Sequence, residues 1–391
     1  MKNKVGLVIV TYTVNYGTYL QAFATQEAIR NLGYDTKILN IDSVISDVSK
    51  ARKRYFIGQI FNLAEVKSYM GTIEAIIQKK INGRYRDYYY HREKCFDQFY
   101  DKYFDIGPVC DSWKGLSDYC KNFTSIVVGS DQLWRPANIA GNYYTLNFVP
   151  EEINKVAYAT SFGLAEVRKK QRKNVEIFLN RIQHLSCREE SGVKIIKSLT
   201  NRDASLVCDP TLLLKKDDWE RYIEIKPIIS GDYILTYLLS NNKEHRKYVK
   251  KLAKMTNCKI VGILHGAGYV RGDESFVDEY PKEIGPFQFL NLIKYAKFIC
   301  TDSFHGCVFS TIFEKNYYAF KRFSDKDKMS TNSRVTNLLE RFNLMNRLVE
   351  DYKKIDLSSI NYSEVNARVN KFRNDSIDYL EQALRCKEEE I

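Results

Sequence analysis

One short stretch places polar side chains between an apolar strand and an apolar helix. FICTDSFHGCVFSTIF (residues 298–313) carries Asp302, Ser303 and His305 between its two apolar runs. Asp302 and Ser303 are helix-capping types, and a helix that begins here offers free N–H groups and a positive dipole end to an anion. His305 would project from the first turn, and Gly306 leaves room for a ligand or another backbone. A plain cap, with His305 bonded to a carbonyl oxygen, suits the same residues.

An arginine occupies a comparable turn in SCREESG (residues 186–192). Arg188 follows a predicted strand and precedes a predicted helix. Its planar guanidinium could hold a phosphate or a carboxylate through two parallel hydrogen bonds. The alternative is an ordinary ion pair with Glu189 or Glu190.

Two further turns have the same polar character. VVGSDQLW (residues 127–134) ends an apolar run, and Asp131 could act as a general base or bind sugar hydroxyls while Trp134 stacks on a sugar ring. Asp131 could instead cap a helix and Trp134 fill the core. The NYG turn (residues 15–17) before a helix start is either another ligand-facing turn or a simple connection.

Alternating strands and helices position these turns. Residues 5–12 (VGLVIVTY) are typical of a buried strand, residues 18–33 of an amphipathic helix, and residues 34–42 of the next strand, which implies a parallel crossover. In open α/β sheets, ligands bind where strands end and helices begin. This rule selects four candidate ligand-binding turns: Asn15–Thr18, Gly129–Trp134, Ser186–Gly192 and Asp302–Gly306.

The alternation is interrupted once and restarts once. Residues from about 45 to 120 are typical of a basic, tyrosine-rich helical insertion, and the α/β units restart after a seam near 215–231. We expect an N-terminal α/β domain (1–226) that carries the insertion and a C-terminal α/β domain (227–391). The last helices of the second domain could pack back on the first.

Composition limits the classes of function. The formal net charge of +12 favours anionic partners, but the sequence has no zinc-finger spacing, RNP-type motif or basic zipper helix, so no nucleic-acid partner is expected. The nine cysteines form no CxxC pair, and no metal-ligand cluster is evident. No segment approaches the ~20 apolar residues of a membrane span, so a cytoplasmic protein is expected.

The segment RYRDYYYHR (residues 84–92), in the basic insertion, fits two different roles. Its cations and aromatics could lie against an anionic membrane surface, which would make the protein peripheral at the inner face of the membrane. The alternative is a helical subdomain with solvated charges and tyrosines packed on their neighbours.

Seven segments together resemble the polysaccharide pyruvyl transferase family. In chain order they are VNYGTYLQAFATQEAIRNLGYD, VVGSDQLW, YATSFG, SCREESG, CDPTLLL, GPFQFLNLI and TDSFHGCVFSTIF. The resemblance covers residues 5 to about 345, with little of it between 45 and 120.

This resemblance implies an α/β fold of two Rossmann-like domains, GT-B-like, with a cleft between them. It also implies transfer of pyruvate from phosphoenolpyruvate to the hydroxyls of a sugar in a cell-surface polysaccharide, such as a capsule or exopolysaccharide, or in its precursor. A pyruvate ketal forms and phosphate is released. Phosphoenolpyruvate is the donor substrate, and no cofactor or metal is expected.

By the same resemblance, Arg188 and His305 hold the phosphoenolpyruvate anion. The reaction also needs an acid and a base, and we expect His305 to be the acid toward the leaving phosphate and Asp131 to be the base. The other residues expected at the donor are Ser303, Phe304, Gly306 and a further cation among Lys326, Lys328 and Arg334, with which Lys321 and Arg322 compete. The residues expected at the acceptor are Asn15, Tyr16, Gly17, Asp131, Gln132 and Trp134.

Two other functions fit the same fold. A GT-B-type glycosyltransferase would use a nucleotide sugar, and an inert glycan-binding relative would keep only the cleft, since fold does not determine chemistry. The sequence also leaves open whether the acceptor is lipid-linked, nucleotide-linked or polymeric.

Overall fold

The computed structural model describes residues 4–58, 73–164, 166–266, 268–324 and 331–385. Its first half is built on a parallel sheet in the order β2-β1-β3-β4. A pair of short parallel strands, β5-β6, continues this sheet through bridges such as Val156 to His184. The strands are β1 (Lys4–Val8), β2 (Asp35–Ile38), β3 (Ser125–Val128), β4 (Asn154–Ala157), β5 (Ser186–Cys187) and β6 (Ser205–Leu206).

Helices cover both faces of this sheet, which is why its inner strands are continuous apolar runs rather than alternating ones. They are α1 (Tyr16–Asn31), α2 (Ile45–Ile57), α3 (Gly83–Tyr103), α4 (Trp113–Cys120), α5 (Pro136–Gly141), α6 (Arg172–Arg181), α7 (Glu190–Thr200) and α8 (Lys216–Glu220). Residues 73–81 are also helical.

The second half repeats the architecture with a parallel sheet in the order β10-β9-β7-β8. Its strands are β7 (Tyr233–Tyr237), β8 (Lys259–Gly262), β9 (Phe298–Thr301) and β10 (Asn316–Ala319). Its helices are α9 (Lys243–Thr256), α10 (Pro286–Tyr295), α11 (Phe304–Ile312), α12 (Asn332–Arg341) and α13 (Tyr362–Leu384). The predicted α/β class with two Rossmann-like parallel sheets is confirmed, while the domain boundary at 226/227 stays a prediction.

Apolar packing joins the two halves behind the site. One continuous apolar cluster contains residues of both sheets. The ring of Phe23 on α1 meets Trp219 and Phe287 at centroid distances of 5.8 and 5.2 Å. Residues that follow β1, β3 and β9 line one cavity, so the carboxyl ends of the two sets of strands face each other across a cleft.

Two other elements tie the halves together. The C-terminal helix α13 returns to the first sheet, where Tyr379 donates to the carbonyl of Ala157 and Ser376 accepts from the amide of Cys208. On α3, the guanidinium of Arg92 is buried and donates to the carbonyls of Leu264 and His265. The basic insertion is therefore partly a brace between the halves. Within the described ranges, no helix has the length and apolar character needed to cross a bilayer.

Candidate functional site

The structure brings the four polar turns together at the cleft. Thr18, at the start of α1, donates to a carboxylate oxygen of Asp131 at 3.0 Å. The guanidinium of Arg188 reaches the other oxygen of Asp131 at 3.4 Å and lies 5.1 Å from the ring centroid of Phe304, the first residue of α11. The meeting point therefore includes the ends of β1, β3, β5 and β9.

Arg188 is the buried cation at the centre of this arrangement. Its side chain is 2 % exposed and contacts the carboxylates of Asp209, Asp131 and Glu189 at 2.8, 3.4 and 3.5 Å. Burial alone would lower the pKa of Arg188, but the three carboxylates raise it above its usual value. The expected ion pair with Glu189 exists, as one contact of a larger charged cluster, and the guanidinium carries a permanent positive charge.

Asp209 completes the cluster, although it was not among the residues predicted from sequence. One oxygen accepts from the amide and hydroxyl of Thr211, and the other accepts from Arg188 and lies 3.5 Å from Nε2 of His305. Burial favours the neutral acid, but His305 and Arg188 outweigh it and hold the pKa of Asp209 well below its usual range. Asp209 follows β6 in the CDPTLLL segment, so the strand-end rule could have found it.

His305 lies in the first turn of α11, as predicted, and is pressed against the start of α1. A Cβ atom on Gly17 would lie 2.1 Å from its Nδ1 atom, so only glycine fits at that position without moving the ring. The Nε2 atom faces Asp209 without hydrogen-bond alignment and has no other partner in the described part of the chain. The imidazole is therefore held between α1 and Asp209. Within the described residues, its Nε2 atom does not donate to the carbonyl oxygen that the sequence allowed as an alternative.

The N-terminus of α11 is open toward the cleft. Ser303 caps it by accepting from the amide of Gly306. The amides of Phe304 and His305 have no partner among the residues that the structure describes. Asp302 does not cap, because its two oxygens accept from the amides of Leu239 and Ser240. Free amides at a helix N-terminus favour an anion.

Arg334 adds a second buried cation to this end of the cleft. Its Nε atom is buried and has no hydrogen-bond partner among the described residues, and its guanidinium lies 6.0 Å from the ring centroid of Phe304. Burial, and then the charge of Arg188, lower the pKa of Arg334 to about 10, so it stays protonated at neutral pH. Arg322 lines the same cavity. Lys326 and Lys328 lie outside the described residues.

Two cavities meet at Phe304 and Arg334. The smaller, about 180 Å³, lies between the two halves. The larger, about 460 Å³, lies against the ends of β5 and β6 and helices α12 and α13. The smaller one is lined by Asn15, Thr18, Asp131, Gln132, Leu239, Asp302, Ser303, Phe304, His305, Arg322, Thr331, Asn332, Arg334 and Val335.

Three of the predicted contacts with substrate are wrong. Trp134 is fully buried, and its indole donates to the carbonyl of Tyr144, so it fills the core and offers no ring to a sugar. Tyr16 is buried in the joint between the halves and donates to the carbonyl of Ile284. A Cβ on Gly306 would lie 2.3 Å from Oγ1 of Thr301, so the close approach there is that of β9 and not of a ligand.

Asn15, Asp131 and Gln132 do line the small cavity. Asn15 caps α1 by accepting from the amide of Thr18, and the side-chain nitrogen of Gln132 is buried without a partner. Asp131 has a φ of 80°, uncommon for a residue with a side chain and a frequent feature of functional sites. Burial opposes ionisation of Asp131, but Arg188 and His305 lower its pKa below the usual value. Asp131 is therefore ionised near neutral pH and weakly basic.

The described residues contain no cluster of His, Cys, Asp and Glu side chains arranged to hold a metal ion. The charges in the cleft are instead balanced by protein groups. Two buried arginines, a histidine and the free end of α11 face the carboxylates of Asp131 and Asp209 across a few ångströms. Such a set can bind a small dianion and move protons.

Fold and site together define a two-sheet α/β protein whose cleft contains buried arginines, a histidine and an open helix N-terminus. A family model described as polysaccharide pyruvyl transferase matches residues 15–321. The chain therefore belongs to the polysaccharide pyruvyl transferase family, as the sequence motifs predicted. No curated protein matches.

Solved structures with a similar course of the chain are remote in sequence. UDP-GlcNAc 2-epimerase from Neisseria meningitidis is 10% identical, with a TM-score of 0.46 and coverage of 99% of this chain and 95% of that one. UDP-GlcNAc 2-epimerase from Methanocaldococcus jannaschii is 12% identical, with a TM-score of 0.43 and coverage of 96% and 93%. Glycosyltransferase SnogD from Streptomyces nogalater is 9% identical, with a TM-score of 0.43 and 98% coverage of each chain.

Proposed function

We propose that this protein transfers pyruvate from phosphoenolpyruvate to two hydroxyls of a sugar, forming a ketal in a cell-surface polysaccharide or its precursor and releasing phosphate. The observation that carries the proposal is the small cavity in which His305 and Arg334 meet the open N-terminus of α11, with Arg188 beside it. Phosphoenolpyruvate bears a phosphate and a carboxylate on three carbons. A cavity of about 180 Å³ with several cationic groups suits such a molecule.

The donor's two charged groups would use different parts of the site. The phosphate would accept from the free amides of Phe304 and His305, where the helix dipole adds to the attraction. The carboxylate would lie toward the guanidinium groups of Arg188 and Arg334. Arg334 is the better available of the two, because within the described residues it donates only to the hydroxyl of Thr331, while Arg188 already contacts three carboxylates.

The reaction requires a proton at each end of the donor. Protonation of the methylene carbon gives a cationic centre that one sugar hydroxyl attacks, losing its proton. Phosphate then departs, with a proton from His305, and the second hydroxyl closes the ketal and releases its own proton. Asp209 would hold His305 in position, because one of its carboxylate oxygens lies 3.5 Å from Nε2 of the imidazole.

Asp131 is the base predicted from sequence, and its surroundings favour a different use. Its oxygens accept from Thr18 and from the amide of Gln132 and contact Arg188, and its pKa is lowered. A general base is most effective when its pKa lies near the working pH. Asp131 is better suited to holding Arg188 and Thr18 in place. The sugar would enter past Asn15 and Gln132. The side-chain nitrogen of Gln132 has no partner among the described residues and can donate to a sugar hydroxyl.

Mass spectrometry of candidate acceptors after incubation with phosphoenolpyruvate tests the proposal directly. A product that gains one pyruvate ketal, with phosphate released in equal amount, is expected. His305→Ala and Arg188→Ala should each nearly abolish the gain, because losing one partner of a buried charge pair costs about 2 to 5 kcal/mol. Arg221→Ala, at an exposed arginine, is the matched control. A folded His305→Ala protein with wild-type turnover would refute the assignment.

The two rival functions give different outcomes in the same assay. A glycosyltransferase would release a nucleotide from a nucleotide sugar and transfer no pyruvate. Loss of activity in EDTA that magnesium restores would also favour that class, because the proposed reaction meets the donor charge with protein cations. An inert glycan-binding relative would bind acceptor without any product in the presence of phosphoenolpyruvate.

A further inference from the structure

The helix formed by residues 73–81 exposes a row of isoleucines. Ile73, Ile76, Ile77 and Ile81 are between 40 and 71 % exposed. The spacing i, i+3, i+4 and i+8 places all four on one side of a helix. We call this row the isoleucine face. Four large aliphatic side chains side by side in water are unusual on a surface that has no partner.

The opposite side of the same helix is fixed to the second half of the protein. The Cβ atom of Ala75 lies 3.9 Å from the position that a Cβ on Gly268 would occupy. Asn82, just after the helix, donates to Glu274 at 2.9 Å. The isoleucine face therefore points away from the protein, on a helix anchored beside the loop that follows β8, on the cleft side of that sheet.

Positive charge surrounds the isoleucine face. Lys80, Arg84 and Arg86 are exposed and make no ion pair with a carboxylate among the described residues. The end of α2 repeats this combination, with the exposed cations Lys53 and Arg54 before an exposed apolar pair. That pair is Phe56 and Ile57, which are 38 and 66 % exposed. Residues 73–86 contain four lysines and arginines and one acidic residue, so the surface beside the isoleucine face is cationic.

The sequence hypothesis of a membrane contact centred on residues 84–92, and much of that segment packs against the protein instead. Within 84–92, Tyr85 and Tyr88 are buried against the His265 ring, and Arg92 is buried between two backbone carbonyls. The alternative in which these tyrosines pack on their neighbours is correct for that segment. Arg84 and Arg86 stay exposed and belong to the surface described above.

We propose that the isoleucine face and its flanking cations dock this protein on a bilayer of anionic phospholipid. Aliphatic side chains beside exposed cations match such a surface, because the apolar groups enter the headgroup boundary while each cation meets a lipid phosphate. Nucleic acid would satisfy the cations and leave the isoleucines in water. If the proposed function holds, docking would bring the cleft to the membrane and favour a lipid-linked acceptor, although binding to the bilayer does not depend on that reaction.

Vesicle sedimentation of the full chain tests the docking. Vesicles with equal parts of phosphatidylglycerol and phosphatidylcholine should sediment the protein, and pure phosphatidylcholine should not. Raising the salt should weaken binding, because exposed charges are screened beyond about 8 Å at physiological ionic strength. Each cation near the surface contributes about fivefold to the partition coefficient, so reversal of Lys80, Arg84 and Arg86 to Glu should lower it by about a hundredfold or more.

Two matched controls separate docking from general charge and apolar effects. Reversal of Lys243, Lys250 and Lys254, three exposed lysines of α9, changes the net charge equally and should leave vesicle binding unchanged. Ile76→Ser with Ile81→Ser should weaken binding at least tenfold, while Ile177→Ser with Ile225→Ser, at exposed positions elsewhere, should not. All variants should melt like the wild type, because the substituted side chains are exposed.

Several results would overturn the proposal. Equal binding to neutral and anionic vesicles, or no binding to either, would exclude an anionic bilayer as the partner. If the variant with Lys80, Arg84 and Arg86 changed to Glu bound anionic vesicles as the wild type does, these residues would not form the membrane contact. Self-association in sedimentation velocity that the Ile76 and Ile81 substitutions abolish, without vesicle binding, would assign the face to a second copy of the chain.

Discussion

A single methyl group added at Gly17 is expected to weaken donor binding while leaving the fold intact. The added Cβ would lie 2.1 Å from Nδ1 and 2.4 Å from Cγ of His305, whereas ordinary van der Waals contact begins at 3.4 Å. The imidazole must therefore move by more than about 1 Å, a displacement that can cost about a hundredfold in rate. Gly17 is the second residue of α1, where alanine stabilises a helix relative to glycine by up to about 1 kcal/mol.

Isothermal titration with phosphoenolpyruvate measures the effect without an acceptor. A hydrogen bond to a charged group contributes about 1.5 to 3 kcal/mol, so losing the one from His305 should raise Kd about tenfold to a hundredfold. Gly83→Ala is the control, because its Cβ would approach nothing closer than Arg86 Nη2 at 3.8 Å. A Gly17→Ala protein with wild-type Tm and unchanged Kd would show that His305 does not contact the donor where we place it.

Three further predictions concern buried charges. Arg188→Lys should raise the Kd for phosphoenolpyruvate at least about tenfold by calorimetry, because an ammonium cannot reproduce a planar fork; an equal Kd would contradict the assignment. Asp209→Asn should lower the free energy of unfolding, measured with urea, by about 3 kcal/mol, since it removes the closest counter-charge of buried Arg188; a change within error would show that Asp131 and Glu189 suffice. Burial lowers the pKa of His245 and of His265 from 6.5 to about 4, so the unfolded chain binds more protons between those pH values. Stability should therefore fall as pH drops from 6.5 to 4, by about 3 kcal/mol per histidine, and His245→Gln should flatten a urea-derived pH profile.

Local patterns in the sequence were enough for the architecture. The apolar run at 5–12, the helix that follows and the strand after Gly33 correspond to β1, α1 and β2. Such units depend on short-range periodicity and on the right-handed crossover, both of which can be read from neighbouring residues. The same rules located the turns at strand ends, and Ser303 proved to be the cap of α11.

Side-chain direction was not accessible in that way. Trp134 and Gln132 are two residues apart, yet one fills the core and the other lines the cavity. Tyr16 and Gly17 are adjacent, yet one is sealed in the joint between the halves and the other touches His305. Which way each side chain points depends on the packing of the second sheet against the first, and no local pattern encodes that contact.

The sequence by itself thus determined the α/β alternation, the family and the four polar turns, because these follow from periodicity and from short motifs. Only the tertiary structure decided that Asp209 lies between Arg188 and His305. In the sequence, Arg188 precedes Asp209 by 21 positions and His305 follows it by 96. It also decided that Arg92 is an internal brace and that isoleucines near residue 77 face solvent. The reason is physical: charge pairing, burial and exposure depend on which distant segments the folded chain brings within a few ångströms.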